Sequence, residues 1–292
     1  MLKYNEPLSR HTSFKIGGPA YCWIEPENPE AVLEAISFAE GKNKPFIAVG
    51  KGTNLLARDQ GVDAVIIHLA KGFEKIEEEP GGAIKTGAGL SLAKLIKYTS
   101  SKALAGCEFL ASVPGNLGGA IFMNAGARSL DDQAVFNEIK YILLDIEVID
   151  LKDKKIKTLN AKDIDFKYRY SGLDGKIILG ARLKLKKEKK ENIRNRIKAF
   201  NKKREWIIHL GLPNAGSIFK NPEPGKSAGM LIESCDLKGK RIGGAEISKV
   251  HANVIVNTGR ATAKDVLGLI DLARTSVKQK FGIDLELELK VI

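Results

Sequence analysis

A dense cluster of glycines stands near the middle of the chain, in Ala111-Ser112-Val113-Pro114-Gly115-Asn116-Leu117-Gly118-Gly119-Ala120 and then Met123-Asn124-Ala125-Gly126-Ala127. So many glycines beside serine and asparagine put backbone N–H groups on a surface too bare for side-chain packing. A diphosphate or a flat ring system requires such a surface. A buried hairpin connection is the alternative interpretation of the same residues.

A second glycine loop, Val49-Gly50-Lys51-Gly52-Thr53-Asn54-Leu55, follows a short apolar run. Its glycines would let backbone N–H groups approach an anion, and Lys51 and Thr53 add further donors. Together the two segments indicate a large anionic cofactor that spans two subdomains. For each loop alone, an ordinary tight turn is the alternative.

Neither glycine loop completes a standard nucleotide motif. The second glycine loop begins as G-x-G-x-x-G at Gly50 but has Leu55 at the third glycine. A further segment, Gly87-Ala88-Gly89-Leu90-Ser91-Leu92, fails at the same place. Gly225-Lys226-Ser227 resembles the end of a P-loop, but its first glycine position holds Lys220. These failures argue against a Rossmann fold and against ATP hydrolysis.

The composition is that of a folded protein. The 292 residues are 43% hydrophobic and 28% charged, which excludes disordered and fibrous classes. A net charge of +12 fits nucleic acid, membrane headgroups or small polyanions such as nucleotides, and charge alone does not choose among them.

Targeting and metal signals are missing from the sequence. Met1 to Pro7 has no signal-peptide core, and no apolar run approaches the ~18 residues of a membrane helix, so we expect a soluble cytoplasmic protein. Cys22, Cys107 and Cys235 are widely spaced and form no C-x-x-C. We therefore expect buried thiols and no metal site.

The first half alternates helix and strand signals. Asn28 as N-cap, Pro29 and a final Gly41 predict a helix, and Phe46 to Val49 and Ala64 to Leu69 predict buried strands. A second βα unit follows, with a strand over Ala83 to Ala88 and a helix that begins at Ser91.

The second half of the sequence predicts mainly strands first, and then helices. Ile139 to Leu185 alternates with a period of two and is predicted to be mainly β. In the basic stretch Lys184 to Glu205, we expect a linker near Lys186 to Glu191 and then an amphipathic helix, either with a solvated lysine face or with a polyanion-binding stripe. Thr262 and Asp265 form a capping box, and Leu285 to Val291 alternates like a strand, so the last third is expected to be a small α+β domain.

Three separated segments carry polar residues that their local pattern does not require. They are Tyr168-Arg169-Tyr170-Ser171, the loop from Asn214 to Pro222 with Ser217, and Glu288. Each has an ordinary alternative: Arg169 as a surface cation, Ser217 as a cap, and Glu288 on the solvent face of a strand.

In combination these motifs resemble the UDP-N-acetylenolpyruvoylglucosamine reductase (MurB) family. The resemblance rests on residues that occur in family order over nearly the whole chain, namely His11 to Ala20, Gly50 to Leu56, Val113 to Ala127, Tyr168 to Ser171, Gly216 to Pro222 and Leu285 to Lys290. The short connection from Ser171 to Ile177 is similar to that of the shorter, second type of the family.

The resemblance implies an α+β fold. It would consist of a two-subdomain FAD-binding fold of the vanillyl-alcohol-oxidase/p-cresol-methylhydroxylase kind, over residues 1–71 and 72–187, and a C-terminal α+β substrate domain over 188–292. The implied activity is NADPH-dependent reduction of UDP-N-acetylglucosamine enolpyruvate to UDP-N-acetylmuramate for peptidoglycan synthesis. Hydride would pass through N5 of a non-covalent FAD.

The same resemblance assigns roles to single residues. Arg169 would stabilise the enolate, Ser217 would donate the proton, and Glu288 would act near the same centre. Tyr168, Lys220 and Asn221 would contact the substrate. FAD would lie on Gly50, Lys51, Gly52, Thr53, Asn54, Ser112, Pro114, Gly115, Asn116, Gly118, Gly119, Asn124 and Gly126.

Partners follow from this assignment. We expect a UDP-sugar substrate, no nucleic acid, no membrane and a monomer. Two other functions stay open, an FAD-dependent oxidase on the same fold and a basic nucleic-acid-binding protein. The serine loop with the late glutamate argues against the first, and the glycine-rich segments argue against the second.

Overall fold

The structure is a computed structural model that describes residues 1–132, 135–205, 211–222 and 226–292. The chain forms two units. Unit 1 consists of Met1–Leu2, Ile24–Gly50 and Val65–Arg204, and unit 2 of Lys3–Trp23, Lys51–Ala64 and Glu205–Ile292. The division at residues 71 and 187 stays a prediction. Among the described residues, no helix is both long and apolar enough to cross a membrane.

The described residues form eighteen strands and six α-helices. In chain order the strands are β1 (Leu2–Pro7), β2 (Pro19–Ile24), β3 (Phe46–Val49), β4 (Leu55–Leu56), β5 (Val62–His68), β6 (Ile76–Glu78), β7 (Ala83–Gly87), β8 (Leu104–Ala105), β9 (Gly126–Arg128), β10 (Phe136–Glu138), β11 (Leu143–Asp150), β12 (Lys155–Asn160), β13 (Lys176–Lys184), β14 (Lys186–Lys187), β15 (Arg241–Ile242), β16 (Ala245–Ile247), β17 (Ile255–Asn257) and β18 (Lys290–Val291). The helices are α1 (Pro29–Gly41), α2 (Leu92–Ser101), α3 (Leu117–Phe122), α4 (Lys190–Lys203), α5 (Ala228–Glu233) and α6 (Ala263–Phe281).

The main sheet of unit 1 is antiparallel, with the strand order β12-β11-β13-β7-β6. It confirms the mainly β prediction for residues 139–185. The predicted period of two is interrupted in β11, which shifts register against β13 at Leu143/Asp145 and at Glu147/Val148. The sequence neighbours Val148 and Ile149 are both buried although they point to opposite faces, so both faces of the sheet are covered at this point.

Local capping explains where the first helices begin. The Asn28 side chain accepts from the Ala31 N–H at 2.8 Å, and Ser91 Oγ accepts from the Lys94 N–H at 3.3 Å. Both predicted helices are confirmed, as is β3, while β5 is displaced by one or two residues from its predicted bounds. β3 and β5 pair in parallel over 46–49 and 65–68.

Helix α4 is the predicted amphipathic basic helix, but the expected linker before it is wrong, because Lys186 and Lys187 pair with β8 as β14 and the helix already begins at Lys190. Ile193 and Phe200 are buried, and Arg196 donates to two carboxylates, Glu108 at 2.7 Å and Glu188 at 2.6 Å. The Glu108 side chain is only 6% exposed, so the guanidinium neutralises a charge that burial would otherwise penalise. These contacts anchor α4 within unit 1.

Unit 2 has one apolar core. It packs one face of α6 against β16, β17 and the loop around Phe219, and includes Phe14, Ile16 and Leu56 from earlier in the chain. The expected α+β character of the last third is confirmed by α5, α6 and the β15-β16-β17 sheet. β18 pairs in parallel with β4.

The predicted strand over Leu285 to Val291 is only partly right. Regular pairing is confined to Lys290 and Val291, and before them only the bridge between Leu287 and Phe219 is formed. The reason is that one carbonyl accepts two hydrogen bonds: the Ile218 carbonyl accepts from the Glu288 N–H at 2.9 Å and from the Leu289 N–H at 3.2 Å. That sharing interrupts the one-to-one ladder of a strand.

Candidate functional site

The central glycine segment surrounds the start of α3 in unit 1. Two of its glycines are required by packing: a Cβ on Gly118 would lie 2.9 Å from the Ala88 Cβ, and one on Gly126 would lie 2.2 Å from the Asn137 carbonyl oxygen. The Gly118 N–H also donates to the Ala88 carbonyl at 2.9 Å. For these two positions, the fold explains the residue type.

Gly119 and Gly50 are different. A Cβ on Gly119 would meet nothing within 4 Å, although glycine inside a helix costs about 1 kcal/mol relative to alanine. A Cβ on Gly50 would make only ordinary contacts, 3.5 Å or more from Asn116. Neither glycine is required by its described neighbours, so both leave space for a bound group.

Two buried polar atoms lie in the same segment. Ser112 Oγ and Asn116 Oδ1 have no hydrogen-bond partner among the described residues. Asn116 is the N-cap residue of α3, yet its side chain makes no capping bond. Buried polar atoms are normally satisfied, so these two, beside the open glycines, fit a polar group of a ligand such as FAD.

The second glycine loop continues into unit 2. Gly52 has a φ of +62°, and a Cβ there would lie 2.2 Å from the His11 carbonyl oxygen. The Ser13 N–H donates to the Gly52 carbonyl at 3.2 Å. The loop therefore follows a fixed path over the His11 to Ser13 segment, with Lys51 exposed and Thr53 half-buried.

Arg169 lies on a tight turn of unit 1. The Lys167 N–H donates to the Tyr170 carbonyl at 2.9 Å and the Tyr170 N–H to the Lys167 carbonyl at 3.1 Å, which leaves Tyr168 and Arg169 as the central pair. Arg169 has a φ of +55°, as in the second central position of a type II turn. Because that conformation costs a non-glycine residue roughly 1–2 kcal/mol, the side chain and not the backbone accounts for arginine here.

Three contacts hold this turn against the end of the glycine segment. Ser171 Oγ donates to the Phe122 carbonyl at 2.8 Å, Asn124 Nδ2 to the Lys167 carbonyl at 2.9 Å, and Arg169 Nη2 to the Gly126 carbonyl at 3.3 Å. The Tyr168 ring lies 5.0 Å from the Arg169 guanidinium carbon. Unit 1 thus brings the predicted residues Tyr168, Arg169, Asn124 and Gly126 together.

Asn124 is fully buried, with a φ of +42°. Besides Lys167, its Nδ2 donates to Glu138 at 3.0 Å, and the Glu138 carboxylate pairs with Lys140 at 2.9 Å. The Asn124 amide therefore donates one hydrogen to the Lys167 carbonyl and the other to Glu138. A contact between Asn124 and a cofactor stays a prediction. Glu138 is a supporting residue that the sequence analysis missed, because a single glutamate in a short strand carries no motif.

Unit 2 brings Ser217, Glu288 and Asn54 together. The hydrogen bonds of the Ile218 carbonyl place the segment that carries Ser217 beside Glu288. Asn54 Nδ2 donates to the Glu288 carbonyl at 3.0 Å, and the Lys290 N–H donates to the Asn54 carbonyl at 3.1 Å. The cofactor role of Asn54 stays a prediction, and its observed contacts tie the second glycine loop to the glutamate segment.

The two predicted substrate residues of the serine loop already have partners. Lys220 Nζ pairs with Glu286 at 2.6 Å, and the Glu286 side chain is 72% exposed. Asn221 Oδ1 accepts from the Ala228 N–H at 3.1 Å, which ties the loop to the start of α5. Ser227 caps α5 through the Met230 N–H, a structural role for part of the P-loop-like sequence, whose Gly225 lies outside the described residues.

The three cysteines lie apart, in the sequence, from the site residues described above. Cys22 and Cys107 are buried and Cys235 is half-buried, and burial raises the pKa of the Cys107 thiol to about 12. In the part of the chain that the structure describes, no group of three or more His, Cys, Asp or Glu side chains could hold a metal ion.

Two family models match the chain. Residues 20–153 match an FAD binding domain, and residues 208–292 match the C-terminal domain of UDP-N-acetylenolpyruvoylglucosamine reductase. The UDP-N-acetylenolpyruvoylglucosamine reductase of Chloroherpeton thalassium is 43% identical over 300 aligned residues, which cover 100% of this chain and 93% of that protein.

Solved structures agree with these matches. The crystal structure of UDP-N-acetylenolpyruvylglucosamine reductase (MurB) from Thermus caldophilus has a TM-score of 0.83 and 35% identity, covering 100% of this chain and 98% of its own. A solvent-stable cholesterol oxidase, 12% identical, shares the fold over 63% of this chain and 38% of its own with a TM-score of 0.50. The expected fold class, an FAD-binding fold of the vanillyl-alcohol-oxidase kind with a C-terminal α+β domain, is confirmed.

Proposed function

Because the chain belongs to the UDP-N-acetylenolpyruvoylglucosamine reductase family, we propose that it reduces UDP-N-acetylglucosamine enolpyruvate to UDP-N-acetylmuramate with NADPH and FAD. The observation that carries the proposal is the full-length match. Relatives and a solved structure align over the whole chain, so the cofactor part and the C-terminal part are both present in family order. The product is a precursor of peptidoglycan.

FAD fits the glycine segment of unit 1. Ser112 and Asn116 offer polar atoms that lack a partner in the described structure, and Gly50 and Gly119 leave room beside them. We assign them, with Pro114, Gly115, Gly118, Asn124 and Gly126, to the non-covalent flavin site. Lys51, Gly52, Thr53 and Asn54 would serve the diphosphate. When bound there, FAD would supply the hydride-transfer chemistry that links NADPH to the enolpyruvyl double bond.

Arg169 would stabilise the negative charge that develops on the enolpyruvyl carboxylate. Its planar guanidinium can pair with two oxygens at once and needs no change of protonation. The contacts to Gly126 and the anchored turn hold the side chain before substrate arrives, which is the preorganisation that electrostatic stabilisation needs.

Ser217 would donate the proton that completes the reduction, at the carbon that bears the ether oxygen. A free hydroxyl is a weak acid, so the serine would need close alignment with the carbon that takes the proton. The shared Ile218 carbonyl supports this assignment, because it holds the serine segment beside the glutamate. Glu288 would act at the same centre.

Substrate contacts are assigned to Tyr168, Lys220 and Asn221. Lys220 is the cation of the set, and its pairing with an exposed carboxylate leaves it able to exchange that partner for an anionic group of the UDP-sugar. We further propose that the enzyme works in the cytoplasm as a monomer, without nucleic acid or membrane partners.

The proposal is tested by steady-state turnover without oxygen. Purified protein loaded with FAD should oxidise NADPH only when UDP-N-acetylglucosamine enolpyruvate is present, and the product should carry two additional hydrogens by mass spectrometry. NADPH oxidation that depends on oxygen and ignores the UDP-sugar would instead identify an oxidase on this fold.

A further inference from the structure

Asn253 in unit 2 makes a close set of contacts with the serine loop. It is 4% exposed and lies just before β17. Its Oδ1 accepts from the Phe219 N–H at 2.9 Å, its Nδ2 donates to the Phe219 carbonyl at 2.8 Å, and its own carbonyl accepts from the Ile218 N–H at 2.9 Å. All three bonds fall on the two residues that follow Ser217.

The side chain acts as a substitute for a strand partner. A primary amide presents one donor and one acceptor side by side, as a peptide group does, and here both meet the same residue. Because the Phe219 N–H can only donate and its carbonyl can only accept, the pairing fixes which way the Asn253 amide points.

The opposite side of the same segment is bound to Glu288. The Ile218 carbonyl accepts from the Glu288 and Leu289 N–H groups, so the Ile218–Phe219 stretch is held between Asn253 and the glutamate segment. On the other side of Ser217, Gly216 has a φ of +73°, and a Cβ there would meet nothing within 4 Å. The Gly216 N–H donates to Asn214 Oδ1 at 3.0 Å, and the Asn214 carbonyl accepts from Ser13 Oγ at 2.6 Å. The serine is therefore held from both sides, and Asn253 acts on the side that follows it.

We propose that Asn253 is a positioning residue that holds the Ser217 backbone in register with Glu288 for the protonation step. The inference rests on the proposed function, in which Ser217 is the proton donor. A proton donor must be aligned with its target, and a displacement of about 1 Å can cost roughly 100-fold in rate. Asn253 acts through Ser217 and does not itself contact the reacting atoms.

The test compares Asn253→Ala with Asn257→Ala in the FAD-loaded enzyme. Asn257 is a matched control because it is also a buried asparagine of the β17 region, but its side chain serves Phe14, Gly259 and Ala261. N253A should slow flavin reoxidation by substrate at least about 10-fold while flavin reduction by NADPH changes less than about twofold. N257A should leave both half-reactions within about twofold of wild type.

A double variant separates positioning from general destabilisation. In a Ser217→Ala background, N253A should add less than about a further twofold, because residues that act as a unit are not additive. A full additional loss in that background, an equal loss in both half-reactions, or wild-type reoxidation by N253A would each overturn the proposal. If N253A does not fold, N253D, which keeps the acceptor for the Phe219 N–H, takes its place.

Amide hydrogen exchange gives a readout that needs no substrate. The Phe219 N–H should be protected in the wild-type protein and should exchange at least about 10-fold faster in N253A but not in N257A. Unchanged exchange at Phe219 in N253A would show that the Asn253 side chain does not hold this segment. If the flavin of the wild-type protein is reduced by NADPH but not reoxidised by the UDP-sugar, the proposed function is wrong, and so is the protonation step assigned to Ser217. The exchange experiment is independent of that result, because it measures only whether Asn253 holds the Phe219 backbone.

Discussion

At the residue scale, the two halves of the proposed chemistry depend on different constraints. Arg169 is held in a left-handed turn by Phe122, Asn124 and Gly126, and Ser217 is held through the backbone of the two residues that follow it. In both cases buried amide or hydroxyl groups of other residues help to fix the position, and Arg169 adds one hydrogen bond of its own side chain to Gly126.

Replacing Ser217 by alanine should separate the half-reactions. Flavin reduction by NADPH should persist, whereas reduction of the enolpyruvyl substrate should fall by roughly 100-fold or more, because a positioned proton donor contributes 10²–10⁴-fold. Anaerobic stopped-flow absorption measures both steps. Unchanged turnover of the substrate would remove Ser217 from the mechanism.

Replacing Arg169 by lysine keeps the charge and removes the planar fork. We expect the second half-reaction to slow by roughly 100-fold, the range seen when one donor to a developing anion is lost. Rapid-mixing kinetics with reduced enzyme and substrate give the rate. Wild-type kinetics for R169K would show that the fork has no role.

Replacing Glu286 by glutamine should release Lys220 for the anionic substrate. Since an exposed ion pair contributes about 0.2–1 kcal/mol, we expect KM for the UDP-sugar to fall up to about fivefold with kcat unchanged. Glu233→Gln is a control, because it removes the same charge from another exposed pair, with Lys238 at 2.7 Å. A rise in KM would mean that Glu286 orients Lys220 and does not compete with substrate.

At the element scale, helix α6 shows how much of the fold local sequence determines. Thr262 Oγ1 accepts from the Asp265 N–H at 3.0 Å and Asp265 accepts from the Thr262 N–H at 2.9 Å, as the capping box predicted. Asp59, far away in sequence, adds two more acceptors for the Ala263 and Lys264 N–H groups. The first pair could be predicted from sequence, whereas the second depends on tertiary structure.

Replacing Thr262 by alanine should lower the free energy of unfolding by about 1 kcal/mol, as for other lost N-caps. Urea unfolding of T262A against wild type measures the change. Thr158→Ala, on the exposed strand β12, is the control and should shift stability by less than about 0.5 kcal/mol. Equal effects of the two variants would contradict the capping assignment.

The Asp265 carboxylate also makes stability depend on pH. The N–H groups of Thr262 and Gly244 lower the pKa of Asp265 in the folded chain below its ordinary value of about 3.9. Its contribution is therefore complete above about pH 3.9 and is lost as pH falls through the lower folded pKa. Urea midpoints at pH 6 and in this acid range should differ less for Asp265→Asn than for wild type, and an equal acid loss in both would contradict the assignment.

At the scale of the whole molecule, the limits of sequence reasoning lie in long-range contacts. Helix α1, strand β3 and the capping of α6 follow from residues within one turn or one strand. Asn253, Glu138 and Ser13 support the site through side-chain hydrogen bonds to partners 14 to 201 residues away in sequence, and no local pattern marks them. For the same reason the interrupted strand before β18 could not be foreseen, because the carbonyl that interrupts it belongs to Ile218.

The charge of the whole chain fits the proposed ligands. FAD, NADPH and a UDP-sugar are all polyanions, and a net charge of +12 favours their encounter with the protein. Part of the basic surface is structural, since Arg196 of α4 is committed to Glu108 and Glu188. Net charge therefore supports the assignment without locating the site.

The most direct measurement is the visible absorption of the FAD-loaded protein under anaerobic conditions, with NADPH added first and UDP-N-acetylglucosamine enolpyruvate second. The flavin band should bleach with NADPH and return in full with the UDP-sugar, in the absence of oxygen. A band that bleaches and recovers only when oxygen is admitted would contradict the reductase function, and a protein that binds no FAD would contradict the cofactor assignment as well.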